Sequence, residues 1–128
     1  MKVAYVDTSF LLALAFDEPG ADKLRNQFRQ YDRLYSSNLL EAELRASFAR
    51  HGIVQEKATL LTWIAWVWPS RPLTLEFERA LKAGLLKGAD LWHVACALYL
   101  EPEGKGLAFI TLDQRQREVA ARLGFESQ

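Results

Sequence analysis

Acidic residues at the ends of apolar segments carry the clearest chemical potential in this chain. It holds six aspartates, at 7, 17, 22, 32, 90 and 113, and three of them stand at such ends. Asp7 directly follows Val3-Ala4-Tyr5-Val6, Asp113 lies two residues beyond Leu107–Thr111, and Asp90 stands before the apolar run that reaches Leu100. Aspartate is also a favoured helix N-cap, worth about 1 kcal/mol there. Asp90 or Asp113 alone reads that way. Asp7 is harder to explain as a cap, because Thr8 and Ser9 already supply candidates. An ionised carboxylate just past a buried strand needs a partner or a cation.

Two glutamates on one helical segment separate by geometry. Glu41 has Arg45 four residues on, the favourable orientation for a surface ion pair, and needs no further role. Glu43 has Leu39 and Leu40 behind it and Ala46 and Ser47 ahead, with no basic residue one turn away. It reads as a fourth candidate. Oxygen ligands of this kind suit Mg²⁺ or Mn²⁺, whereas zinc would want histidine and cysteine clusters. The chain has two histidines, His51 and His93, and a single cysteine, Cys96. A set of three or four carboxylates could hold one or two ions that orient a water in line with a phosphodiester and stabilise the leaving oxygen.

These residues need a scaffold. Short apolar segments that read as strands (2–6, 33–36, weakly 71–75, 107–111 and Phe125) alternate with segments that read as helices. Thr8 or Ser9 caps a helix through Phe16, Ala21–Gln30 is amphipathic, and Leu40, Leu44 and Phe48 form one stripe ending near His51-Gly52. Further helices are expected over about Gln55–Val67, stopped by Pro69, over Glu76–Leu86, over Asp90–Leu100, and after an Asp113 cap. Such alternation predicts a three-layer α/β/α domain with a four- or five-stranded parallel sheet, over residues 1–128 as one domain. Sheets of this kind bind ligands at the C-terminal strand ends, near the point where strand order reverses. Asp7 and Asp113 belong there.

Composition narrows the classes further. Half the 128 residues are hydrophobic and a quarter are charged, a globular balance that excludes a disordered chain. Sixteen basic residues offset sixteen acidic ones, so no global field draws the chain to a polyanion and any such partner needs a local site. One cysteine excludes an internal disulfide and fits a reducing cytoplasm. The apolar run Phe10–Phe16 is too short to cross a bilayer and ends at Asp17-Glu18-Pro19 rather than at a cleavage site. A soluble cytoplasmic chain with no membrane association is expected.

Four segments carry a family resemblance. Val6-Asp7-Thr8-Ser9-Phe10-Leu11-Leu12 resembles the opening motif of the PIN (PilT N-terminal) nucleases, and Ser37–Leu44 is similar to their second motif, with Glu43 at its acidic position. Gly88-Ala89-Asp90-Leu91-Trp92-His93-Val94-Ala95-Cys96-Ala97 resembles the third motif. Ile110-Thr111-Leu112-Asp113 with Gly124-Phe125 resembles the last. The order is right and the match spans essentially the whole chain. Trp92 departs by occupying a place often held by a smaller residue, and Glu41 is a competing acid. The resemblance, together with the compact length, implies a VapC-like toxin of a toxin–antitoxin pair: an endoribonuclease using Mg²⁺ or Mn²⁺. In that picture Asp7, Glu43, Asp90 and Asp113 ligate metal directly or through water, and Thr111 or Thr8 positions a water or ligand. It also implies an RNA substrate, a small antitoxin partner and a homodimer.

Other features are read as structural. His93, one turn beyond Asp90, is taken as a packed helix residue and left out of the site. Trp63 and Trp66, three apart, are assigned to core or dimer packing, Cys96 to the core, and Arg115 and Arg117 to solvent. A phosphoacceptor receiver domain also gathers aspartates at strand ends, but it needs an acidic pair after the first strand. Here Thr8-Ser9 follows Asp7. A PIN-like module that binds RNA or protein without cutting is the remaining alternative, and the intact acidic set counts against it.

Overall fold

A computed structural model of the chain describes residues 1–52 and 55–127. Strands β1 (Val3–Val6), β2 (Arg33–Ser37), β3 (Ile64–Val67), β4 (Leu107–Ile110) and β5 (Glu126–Ser127) form one sheet in the order β3-β2-β1-β4-β5. All four pairings are parallel. Strand order reverses between β1 and β4. The register sets Val6 opposite Ile110, so Asp7 and Thr111 emerge side by side at that reversal.

Alternation along β1 builds both layers. Ala4 and Val6 face one core, with Leu34, Ala108 and Ile110, under helices α1 (Thr8–Ala15), α2 (Ala21–Phe28) and α3 (Asn38–His51). Tyr5 faces the other, with Leu107, Phe109 and Phe125, under α4 (Thr74–Ala83), α5 (Gly88–Leu100) and α6 (Gln114–Arg122). A central strand buried on both faces must be apolar throughout, which is why β1 reads as a short continuous run. Tyr5 stacks on Phe109 with ring centres 5.5 Å apart. Its hydroxyl is the one polar atom that β1 carries into the second core.

Three expectations from the sequence need correction. The segment expected as a helix from Gln55 to Val67 is a 3-10 helix over Gln55–Trp63 followed by β3. Ile64, Trp66 and Val67 favour a pleated strand, and pairing with β2 supplies the hydrogen bonds that decide it. Trp63 therefore does not enter the core. It is 59% exposed and leans on Phe28 at 5.4 Å. The weak strand expected at Arg71–Leu75 is a loop leading into α4, which starts at Thr74. There Pro72 lacks an N–H, and Arg71 makes a two-pronged contact with Glu76 at 2.7 and 2.9 Å. Finally, Asp90 does not open its helix: α5 begins at Gly88 with Lys87 at the cap.

Candidate active site

Asp7 sits at the end of β1 and is the N-cap of α1, a role the sequence reading gave to Thr8 or Ser9. Those two side chains instead serve carboxylates. Ser9 Oγ donates to Asp7 Oδ1 at 2.8 Å, the Phe10 amide donates to the same oxygen at 3.3 Å, and Thr111 Oγ1 donates to Oδ2 at 2.6 Å. Asp7 is only 3% exposed, and no cation lies among these partners. Burial pushes its carboxyl above the ordinary value, while the Thr111 and Ser9 hydroxyls pull the other way.

Glu43 approaches from α3. Its Oε1 accepts from Thr8 Oγ1 at 2.6 Å and lies 3.4 Å from His93 Nε2. The hydrogen bond from His93 holds this carboxyl below its usual value, against a smaller opposing effect of burial. Behind it, His93 Nδ1 lies 2.8 Å from the Tyr5 hydroxyl, which accepts from the Ser37 amide at 3.2 Å. Trp92 Nε1 donates to Ser37 Oγ at 3.0 Å, so the bulky residue at that position ties α5 to the end of β2.

Asp90 and Asp113 face a more open region. They line a cleft of ≈ 460 Å³ together with Leu85, Leu86, Lys87 and Arg115. The Asp90 carboxyl is pushed up, first by burial and then by the charge of Asp113, with Glu43 adding a smaller push in the same direction. Its carboxylate takes no hydrogen bond among the described residues. Asp113 is exposed and caps α6, accepting from the Gln116 amide at 2.8 Å.

Two residues escaped the sequence reading. His93 is 1% exposed and is a core residue, as expected, but it also touches Glu43 and Thr8. Gln116 is fully buried: its Nε2 donates to the Asp90 carbonyl at 3.2 Å, and its Oε1 lies 3.0 Å from Thr111 Oγ1. In Gln114-Arg115-Gln116-Arg117-Glu118 it looks like one more solvated polar residue. The signal that marks it is its helical phase with Val119, Ala120 and Leu123, all buried. Thr111 and Thr8, expected to position a water or ligand, have their hydroxyls within 2.6 Å of Asp7 and Glu43 respectively.

The four acids thus stand toward the C-terminal edge of the sheet, Asp7 and Glu43 held by hydroxyl and ring contacts and Asp90 and Asp113 open to the cleft. Among the described residues, no three acidic, histidine or cysteine side chains converge as a closed cage for a metal. Hard oxygen donors on an open cleft suit a hydrated divalent ion, since Mg²⁺ keeps several waters and takes only one or two carboxylates plus substrate phosphates. The donor chemistry fits such an ion.

Carboxylates at the switch point of a parallel three-layer sheet mark an α/β domain with its ligand site at the C-terminal strand ends. Residues 4–122 match the PIN domain, and the chain belongs to that family. PIN domains are generally metal-dependent nucleases, and the family implies nucleic-acid binding. No curated protein matches the chain. No helix among the described residues is long and apolar enough to cross a membrane.

Proposed function

We propose that this chain is a Mg²⁺- or Mn²⁺-dependent endoribonuclease that hydrolyses RNA phosphodiester bonds, and that it is the cytoplasmic toxin of a toxin–antitoxin pair. What supports the reading is the PIN match together with Asp7 just past β1 at the strand-order reversal, where Asp113 follows β4, Glu43 meets Thr8, and the Asp90 backbone is tied to Gln116. In this reading the four carboxylates hold the ion directly or through water. An ion held there would supply Lewis acidity toward the phosphodiester and lower the pKa of an attacking water.

The chain's own residues do the remaining work. Ser9 and Thr111 hold Asp7 in one orientation, and Thr8 with His93 holds Glu43. Asp90 and Asp113 present their carboxylates to the cleft. Lys87 and Arg115 line the same cleft and offer positive charge to RNA phosphates. The toxin assignment draws on the motif resemblance. It brings with it a homodimer and a small antitoxin that suppresses cleavage.

The test is incubation of purified protein with a pool of cellular RNAs, in Mg²⁺, Mn²⁺ or EDTA, beside the Asp7→Asn variant. Cleavage is expected only with the metal and only in the wild type. Cleavage that survives EDTA, or that Asp7→Asn retains, overturns the assignment. RNA binding without cleavage points instead to a non-cleaving module. Coexpression with a small neighbouring reading frame tests the toxin role, with loss of cleavage expected, and light scattering tests the dimer.

A further inference from the structure

Behind Glu43 lies a chain of hydrogen bonds that the proposed cleavage does not itself require. The Tyr5 hydroxyl accepts from the Ser37 amide at 3.2 Å and keeps its own proton to give. Its near neighbour is His93 Nδ1 at 2.8 Å. Donation from Tyr5 to Nδ1 would place the proton of a neutral ring on Nε2. Nε2 in turn lies 3.2 Å from Thr8 Oγ1 and 3.4 Å from Glu43 Oε1. Thr8 passes its own proton to Glu43 Oε1 at 2.6 Å. With the ring in that state the contacts link a backbone amide at the end of β2 to a single oxygen of Glu43.

Packing alone does not call for this arrangement. His93 lies on the inner face of α5 beside Val94, Cys96 and Ala97, all buried, where an aliphatic side chain would fill the space without needing partners. Nor does Glu43 need the ring for solvation, because its side chain is 36% exposed. What a half-exposed glutamate lacks is a fixed rotamer, and ordering so flexible a side chain is entropically costly.

We propose that Tyr5 and His93 are positioning residues: Tyr5 fixes the His93 ring with its proton on Nε2, and the ring, together with Thr8, fixes the Glu43 carboxylate. The role rests on the reading of Glu43 as a metal ligand. Outer groups that orient a ligand typically change metal affinity or activity by 10–100-fold when removed.

The experiment pairs a metal-free measurement with a metal-dependent one. Nitrogen-15 NMR of the histidine rings in wild-type protein without metal is expected to show His93 protonated on Nε2 and bare on Nδ1. Tyr5→Phe keeps the ring stacked on Phe109 and should release that preference. Calorimetry with Mn²⁺ alone should then show about 10–100-fold weaker binding in Tyr5→Phe and His93→Leu. In RNA cleavage, kcat should fall with KM little changed. Glu41→Gln, on the same helix, should match the wild type in all three. A His93 ring protonated on Nδ1 overturns the proposal. So does a Tyr5→Phe variant that melts lower yet keeps wild-type Mn²⁺ affinity and kcat, which is the signature of a purely structural role. A wild type with the expected ring state that neither binds Mn²⁺ nor cuts RNA overturns Glu43 as a ligand, and with it the proposed function rather than the hydrogen-bond chain.

Discussion

The two halves of the acidic edge are built differently. On the β1 side, Asp7 and Glu43 are surrounded by donors: Asp7 takes three hydrogen bonds, and Glu43 is met by Thr8 and His93. On the cleft side, the Asp90 carboxylate takes no hydrogen bond among the described residues, and Asp113 spends one oxygen on a helix cap. A carboxylate held by fixed donors keeps its direction whether or not a metal cation is present. A carboxylate facing water takes its direction from what binds. The first pair is a preset frame and the second an adjustable one, a division suited to a site whose remaining ligands arrive with the substrate.

The largest expected effect comes from breaking the preset half. Asp7→Asn should lower RNA cleavage thousands-fold, about 4 kcal/mol of barrier, measured as initial rates at saturating Mg²⁺. The loss should not come from unfolding. Asparagine caps helices about as well as aspartate. Its amide group can face Thr111 Oγ1, whose proton then turns to Gln116 Oε1 at 3.0 Å. A folded, inactive variant is the expected outcome; an unfolded one would show that Asp7 is mainly scaffold.

The two halves should also leave a mark on the pH dependence of the metal-free protein. Asp7 and Asp90 have raised carboxyls, chiefly through burial, so the folded chain holds those protons more tightly than the unfolded one. Their stabilising contribution is fully present below the ordinary value of 3.8 and is lost as pH rises through the raised folded values. Glu43 is lowered, so its contribution is present above 4.5 and lost as pH falls through the folded value. Above 4.5 the Glu43 contribution no longer changes, so the two raised groups act alone and thermal melts in EDTA should show a difference, with higher stability just above pH 4.5 than at pH 7.5. Asp7→Asn should flatten that difference most and Asp90→Asn less, because water screens the half-exposed group. On the proposed function, Mg²⁺ at a hundredfold excess over its Kd should add about 2.7 kcal/mol at pH 7.5. If Asp90→Asn merely lowers the melting temperature and leaves the Mg²⁺ response intact, Asp90 has no part in holding the ion.

Gln116 joins the halves, reaching from Thr111 on one side to the Asp90 carbonyl on the other. Gln116→Ala removes both of these hydrogen bonds and leaves a void at a fully buried position, and it should cost about 1–3 kcal/mol in denaturant unfolding. Cleavage should fall at temperatures where the variant is still folded, because both Asp7 and Asp90 lose a fixed neighbour. Stability that falls while the rate is unchanged would show that the two halves work independently.

Much of this arrangement was legible in the sequence, and the rest was hidden for identifiable reasons. β1 and β4 declare themselves because strands buried on both faces must be continuously apolar. Their ends then locate Asp7 and Asp113. β3 was hidden because Ile64–Val67 follows directly on the 3-10 helix, with no glycine or proline to mark the change of period. The mistaken helix cap arose because Asp7, Thr8 and Ser9 are all good caps, and only the fold shows that the two hydroxyls point at carboxylates. His93 was the costliest omission. A lone histidine on an apolar helix face looks the same whether it merely packs or also bonds, and the groups that distinguish the cases, Tyr5 and Glu43, lie 88 and 50 residues away in the chain.

The smallest expected effect falls on the acid that stands nearest the site without being assigned to it. Glu41 and Glu43 lie two residues apart on α3, so the helix turns them in different directions. Glu41 accepts from Arg45 Nε at 2.7 Å and from Asn38 Nδ2 at 3.0 Å on the helix surface. Exposed pairs with this spacing contribute about 0.3–0.5 kcal/mol and are screened by salt. Glu41→Gln should therefore shift the unfolding midpoint barely beyond error, and only at low ionic strength, with cleavage and Mn²⁺ affinity unchanged. Glu43→Gln at the same helix should lose cleavage at any ionic strength, since its partners Thr8 and His93 are buried side chains rather than a solvent-screened arginine. Measuring both variants at 20 mM and 500 mM salt separates the two acids. If Glu41→Gln proves the more damaging, the second acidic position of the motif belongs to Glu41 and the hydrogen bonds behind Glu43 support only the core.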